Sequence, residues 1–254
     1  MLNSQIDKTI RMFSVIYYFV LILFLIVYGI FISLVWLFIY PFDRKRNIIA
    51  KTTHYHAMGL FWLSPRWKIE IEGKENIEKN TAYVIVSNHQ AMFDIPLLHA
   101  LKLHRRWIAK KSLIKMPFVG HAMLIHGDIL LERGEASSAK KMINRALKVL
   151  DMGVSIAIFP EGTRSRFGKV GRFKEGAFLL AKKAGAPILP IVIDGTFDAF
   201  DGWKLVTPHK FRIKVLPAIT KEEVEKNDIK TMAQCVQQMI SGEHRKMRPE
   251  LYEN

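Results

Sequence analysis

The chain has 254 residues, half of them hydrophobic, and carries 38 Lys and Arg against 23 Asp and Glu, a formal net charge of +15. That length suits one sizeable domain with an appendage. The apolar content excludes a disordered chain and argues against an ordinary nucleic-acid-binding domain, and a single cysteine, Cys235, excludes a disulfide framework or a Cys-rich zinc site and suits a reducing compartment.

From Met12 to Phe42 no residue is formally charged. A straight helix of that length spans about 46 Å, against a hydrocarbon core of about 30 Å. The segment is too long and too aromatic for the apolar region of a signal peptide, so it is expected to stay in the mature protein and enter a membrane. Lys8 and Arg11 precede it; Arg44, Lys45, Arg46 and Lys51 follow. The downstream excess favours placing the main body in the cytoplasm, with a single spanning or steeply tilted helix. Basic flanks at both ends also allow a hairpin bent at Gly29.

A second helix is expected up to Pro65. Ile48, Ile49, Met58, Leu60, Phe61, Trp62 and Leu63 alternate there with Lys51, His54 and His56, as in a helix lying at the membrane interface or packed on the domain. The reading is thus a membrane-embedded segment over 1–43, an interfacial amphipathic helix over 44–66 and a folded domain over 67–254. Asp7, Lys8 and Arg11 leave the first 42 residues at +1, so nearly all the positive charge belongs to the remainder. Such a domain is held against anionic headgroups, and its clefts favour anionic ligands.

Within that domain the period alternates. Trp67–Glu72 reads as a half-exposed strand, Tyr83–Val86 as a buried one and Ile95–Leu103 as a helix. Ile129–Leu131 is a short strand, followed by a helix from about Glu135 to Leu150. Its apolar face is Met142, Ile143, Ala146, Leu147 and Leu150, and its basic face is Lys140, Lys141, Arg145 and Lys148. Val154–Phe159 is a strand, and Phe173, Ala177, Leu180, Ala181 and Ala184 stripe a helix closed by Gly185 and Pro187. Ile188–Ile193 and Phe211–Leu216 are strands, and Met232, Val236, Met239 and Ile240 stripe a last helix. The fold class is α/β: a mostly parallel sheet flanked by helices, with an N-terminal membrane helix and an interfacial second helix.

Three polar loops follow buried strands, where an open parallel sheet collects its ligands. One holds Asn88-His89-Gln90-Ala91-Met92-Phe93-Asp94. Five residues on a regular helix set side chains about 140° apart, so a His89–Asp94 contact requires a strand-to-helix turn. The second loop holds Glu132-Arg133-Gly134, and the third holds Pro160-Glu161-Gly162-Thr163-Arg164-Ser165-Arg166. Any one of these arginines is best read as a solvated loop residue. The set is better read as one crevice.

These blocks, with Leu189-Pro190-Ile191-Val192-Ile193, resemble in order the four motifs of the glycerolipid acyltransferase family, above all its bacterial members that acylate 1-acyl-sn-glycerol 3-phosphate. The resemblance covers roughly Trp67 to Leu216. Glu132 stands where the family often has Asp. What the resemblance implies is a membrane-bound O-acyltransferase that moves an acyl chain from an acyl carrier protein or coenzyme A thioester to the sn-2 hydroxyl of lysophosphatidate, giving phosphatidate. His89 is the implied general base and Asp94 its orienting partner. Arg133 and Arg164 are the implied phosphate ligands, guanidinium forks that grip two oxygens. Glu161 positions the glycerol backbone or the loop, Gly162 admits close backbone approach, and Thr163 belongs to the same substrate-binding loop. Lys110 resembles a basic position near the phosphate, with Lys111 as the competing counterpart.

Arg166, Lys169, Arg172 and Lys174 add a basic loop suited to lipid headgroups or an acidic carrier protein. No cofactor and no metal are expected, since the His pairs at 54/56 and 121/126 lack carboxylates at ligand spacing; Cys235 is remote from every motif. The expected location is the inner, cytoplasmic membrane with the catalytic domain on its cytoplasmic face. The competing readings are an acyltransferase for another lysolipid, such as a lyso-ornithine lipid, and a non-catalytic protein that binds anionic lipid. A nucleic-acid partner has only net charge in its favour.

Overall fold

A computed structural model describes residues 2–64, 66–132 and 134–253, with the side chains of residues 2–10 and of Ala136 left out. Pro65 and Arg133, both singled out by the sequence, lie outside the described residues. The chain opens with helix α1 (Leu2–Ile39), turns, and returns as α2 (Asn47–Trp62). Asp43 starts α2: its two carboxylate oxygens accept the Asn47 and Ile48 N–H groups at 2.7 and 2.9 Å, serving donors that a helix start leaves without intrahelical partners.

Then follow β1 (Trp67–Glu72), β2 (Val84–Ser87), α3 (Asp94–Leu98), β3 (Arg105–Lys110), α4 (Val119–His126), β4 (Ile129–Leu131), α5 (Ala136–Asp151), β5 (Ser155–Ile158) and α6 (Gly176–Ala184). The chain ends with β6 (Ile188–Asp194), a small hairpin of β7 (Phe200–Asp201) and β8 (Lys204–Leu205), β9 (His209–Val215), α7 (Lys221–Lys226) and α8 (Ile229–Met247). Seven strands form one sheet in the order β1-β9-β6-β2-β5-β3-β4. All neighbouring pairs are parallel except β6 and β9. The expected mostly parallel α/β sheet is therefore the observed one.

Burial explains the sequence patterns. The central strands β2 and β6 are buried at every position, which is why Val84–Val86 and Ile188–Ile193 read as unbroken apolar runs. Toward the edge, β9 and β1 alternate, and β1 turns Glu70 outward to pair with Lys210 at 2.7 Å. One core layer joins the sheet to α5, α6 and α8 through residues such as Val84, Ile156, Ala146, Phe178 and Val236. The other joins it to α1, α2 and α3 through Tyr17, Phe61, Trp67, Leu97, Trp107 and Phe211.

The N-terminal segment is the single long apolar helix expected, and the alternative bend is not made. α1 runs unbroken through Gly29, so there is no hairpin bent at that residue; the return is made by the turn before α2. Residues Arg11–Ile39 are long and apolar enough to cross a membrane and are mostly exposed. Yet α1 is fastened to the protein along its length. Ser14 accepts the Leu205 N–H at 3.1 Å, Tyr17 meets Trp67, Phe24 and Tyr28 stack on His56, Tyr28 donates to Thr53 at 3.0 Å, and Ile32 is fully buried with Ile49 and Ile125. The segment is thus docked along one side on α2 and on the domain. The opposite side carries the lipid-like face, with Phe19 71% and Phe38 75% exposed. In α2, Phe61 enters the core while Tyr55 and Trp62 are exposed, so this helix packs on the domain and keeps two aromatics outside.

Within the domain, β3, α4, the β7–β8 hairpin and α7 have no counterpart among the expected elements, and two expected helices need correcting. The helix expected over Ile95–Leu103 is α3 followed by a 3-10 turn at His99–Leu101. Phe173 is buried with the stripe it was assigned to, but the helix begins only at Gly176.

Candidate active site

Because β2, β3, β4 and β5 are parallel, the loops after Ser87, Lys110, Leu131 and Ile158 emerge at one sheet edge. The first loop is pinned to its neighbour strand. The Asn88 amide donates to the Ile193 carbonyl at 2.8 Å and accepts the Ile193 N–H at 2.9 Å, so a side chain completes a ladder the strand no longer makes. That places His89 beyond the strand end, with Asp94 opening α3.

His89 Nδ1 lies 2.6 Å from Asp94 Oδ2. The same oxygen accepts the backbone N–H groups of Gln90 and Ala91 at 2.6 and 2.9 Å, and the Thr196 hydroxyl donates to Oδ1. Asp94 is fully buried, and this ring of donors compensates the water it has lost. With Nδ1 committed to Asp94, Nε2 is the ring nitrogen left for exchange with a substrate. The imidazole stacks on Phe159.

The third loop is tied to the first through its backbone. Glu161 Oε1 accepts the His89 N–H at 2.9 Å, and Oε2 accepts the Gly171 N–H at 3.0 Å. Ser165 N–H donates to the His89 carbonyl at 2.8 Å. Burial pushes the Glu161 carboxyl up, against the opposing pull of those two N–H groups. Glu161 thus ties the first loop to the third. Gly162 has φ of 74°, a left-handed conformation that favours glycine.

A cavity of about 570 Å³ opens at this edge, and His89, Lys110, Gly162, Thr163 and Arg164 line it together with Trp107. A second cavity of about 290 Å³ shares Lys110, Phe159 and Gly162 and runs under Leu131, Met142, Ile158 and Ala177. Five of the eight expected site residues line the larger cavity, and Asp94 and Glu161 join them through their hydrogen bonds to His89. The eighth, Arg133, is outside the described residues. Between the two lysines, Lys110 lines the cavity, whereas Lys111 pairs with Glu132 at 2.6 Å. Among the described residues no group of three His, Cys, Asp or Glu side chains is placed to hold a metal ion.

Sequence reasoning missed several participants. Trp107 and Phe159 form the aromatic floor behind the imidazole, their rings stacked at 5.2 Å; Phe159 ends a predicted strand and opens the third motif, without a role of its own. Thr196 sits just past the last motif, with no spacing rule that ties it to Asp94. The available signal is a motif-borne polar residue such as Asn88 or Gln90, each buried in the fold. Chemically, the assembly offers a proton acceptor held by a buried carboxylate, beside cations able to receive an anionic group.

Comparison with known proteins was made on this basis. A family model described as Acyltransferase matches residues 68–194. The chain is 37% identical over 164 residues to the chloroplastic 1-acyl-sn-glycerol-3-phosphate acyltransferase BAT2 of Brassica napus, covering 63% of this chain and 46% of that protein. It thus spans less than half the length of that plant relative. With 1-acyl-sn-glycerol-3-phosphate acyltransferase alpha of Mus musculus it shares 30% identity over 201 residues, 76% of this chain and 69% of the other. The crystal structure of the 1-acyl-sn-glycerophosphate acyltransferase PlsC from Thermotoga maritima superimposes with a TM-score of 0.77 at 26% identity, covering 95% of this chain and 97% of that one.

Proposed function

The chain belongs to the acyltransferase family, and on that premise we propose that it transfers an acyl chain from a thioester to the sn-2 hydroxyl of 1-acyl-sn-glycerol 3-phosphate, giving phosphatidate. One observation carries the reading: the 2.6 Å His89–Asp94 contact borders a cavity that Lys110 and Arg164 also line. His89 Nε2 takes the hydroxyl proton while Asp94 fixes the tautomer and stabilises the imidazolium. The alkoxide oxygen attacks the thioester carbonyl, the C–S bond breaks as the new ester C–O bond remains, and the proton leaves with the thiol. Transfer is direct. Cys235 is exposed on α8 and lines neither cavity, so it forms no acyl-enzyme.

Lys110, Arg164 and Arg133 hold the phosphate, and the donor is acyl carrier protein or coenzyme A thioester. Thr163 and the backbone at Gly162 complete the acceptor site. The exposed apolar side of α1 lies in lipid, and the basic residues after it keep the domain on the cytoplasmic face of the inner membrane.

The test uses the full chain in anionic vesicles with a labelled acyl thioester and a panel of lysolipid acceptors. Transfer to lysophosphatidate that disappears in His89→Ala, with membrane binding retained, supports the reading. Robust transfer only to a different lysolipid, such as a lyso-ornithine lipid, replaces the substrate and keeps the chemistry. Unchanged transfer in His89→Ala removes the dyad.

A further inference from the structure

A buried polar chain leaves Asp94 and ends at the C-terminus of the protein. The Thr196 hydroxyl shares its one proton between Asp94 Oδ1 and, at 3.2 Å, Gln90 Oε1. Both amide protons of Gln90 are matched, one by the Gly168 carbonyl at 3.1 Å and one by His244 Nε2 at 3.1 Å. His244 Nδ1 then donates to the Tyr252 hydroxyl at 2.8 Å, which also accepts the Val170 N–H at 3.1 Å. Asp194 stands 3.5 Å from the same His244 Nε2 and is itself held by Arg248 at 3.2 Å and Arg212 at 3.5 Å.

Gln90, Thr196 and His244 are each buried. A buried amide is costly unless its protons find partners, so Gln90 adopts the rotamer that His244 and Gly168 jointly accept. Gln90 also gives Asp94 its backbone N–H at 2.6 Å. The orientation of one side chain on α8 is therefore transmitted to the loop between His89 and Asp94. Thr196, His244 and Tyr252 all lie beyond the region that matches the family model.

We propose that Gln90, Thr196 and His244 are positioning residues for acyl transfer, a latch by which α8 holds the His89–Asp94 pair in register. The proposal rests on the acyltransferase reading above. It gives the C-terminal helix a role in turnover in addition to its place in the core.

The experiment compares wild type, His244→Ala, Thr196→Val and the double variant, as full chain in detergent, by kcat and KM for whichever acceptor the wild type uses. In parallel, the low-field proton of the His89–Asp94 hydrogen bond is followed by NMR in substrate-free protein. Each single change lowers kcat about tenfold with KM held within about twofold. The double variant falls no more than about twofold below the weaker single, because both cut one chain. His244→Gln, which keeps an acceptor for Gln90, recovers most of kcat and the low-field resonance that His244→Ala loses. Wild-type kcat in His244→Ala, or losses that multiply in the double variant, overturn the latch. If His244→Ala does not fold, Tyr252→Phe, which removes only the hydroxyl that His244 donates to, takes its place in the cycle with the same two outcomes. A wild type inactive on lysophosphatidate defeats the functional reading alone, since the resonance needs no substrate and still decides the latch.

Discussion

The imidazole of His89 lies flat on the ring of Phe159, with centroids 4.0 Å apart and planes 8° from parallel. Asp94 fixes the ring along its edge and Phe159 fixes it across its face, so the remaining nitrogen has one orientation. Truncating Phe159 to Ala removes the second constraint and leaves the first. kcat is expected to fall about tenfold with little change in KM for the acceptor, the signature of lost alignment. Steady-state kinetics decide it, and an unchanged kcat would show that Asp94 alone suffices.

Asn88 tests the pin between the catalytic loop and β6. In Asn88→Ala the N–H and carbonyl of Ile193 lose their partners inside the core. The expected loss is about 2–4 kcal/mol of stability, since two buried backbone groups are left unmade. Denaturant titration in detergent measures this, and transfer activity should drop with it because His89 is the next residue.

Gly162→Ala asks a conformational question. The added Cβ would meet the Lys174 ammonium at 3.0 Å, a flexible end that can move aside, while φ stays at 74°. Backbone strain therefore dominates, at about 1–2 kcal/mol. A lowered melting temperature is the expected readout, and an unchanged one would mean the loop re-forms with a different φ.

The two adjacent lysines separate by role. Lys110→Ala and Arg164→Ala should each raise KM for lysophosphatidate about tenfold or more, as loss of a charge-assisted hydrogen bond to phosphate does. Lys111→Ala should leave KM near the wild-type value, because Lys111 is paired with Glu132. Reversal of that order would exchange their assignments.

Glu161 gives a pH signature. Burial holds its carboxyl above the usual range in the folded protein. The folded state then takes up the proton first, so this group favours folding below its unfolded value and loses that contribution as pH climbs through the raised folded one. The melting temperature of wild type, relative to Glu161→Gln, should therefore improve as pH falls through the upper carboxylate range. A flat or opposite trend would remove burial as the dominant influence.

Much of this arrangement was legible in the residues. β1 and β4 match their expected ranges residue for residue, and α5 lies within a residue of its expected ends, because each is bounded by a clear change of period. The three polar loops converge as parallel strands require. β3 escaped because Arg105 and Arg106 open it and Lys110 closes it, leaving too short an apolar run; Arg105 is nonetheless almost fully buried. The Gln90, Thr196 and His244 chain was invisible for a different reason. Its members are 106 and 154 residues apart, and no local spacing encodes a contact that only the closed sheet creates. The docking of α1 was hidden in the same way: an uncharged run states that a segment avoids water, and says nothing about which protein surface lies along it.

That docking has a consequence for how substrate is counted. α1 is joined to the catalytic domain from Ser14 to Ile32 by hydrogen bonds and buried side chains, without an intervening tether. The exposed apolar side of α1 and the His89 cavity are therefore fixed relative to one another by packing, and in the membrane-bound state proposed above that packing sets the cavity's height over the bilayer. The lysolipid acceptor proposed above would then meet the enzyme by lateral diffusion. Its effective concentration is a mole fraction of the surface, so diluting lysophosphatidate with inert lipid should slow turnover even when the amount per volume is unchanged.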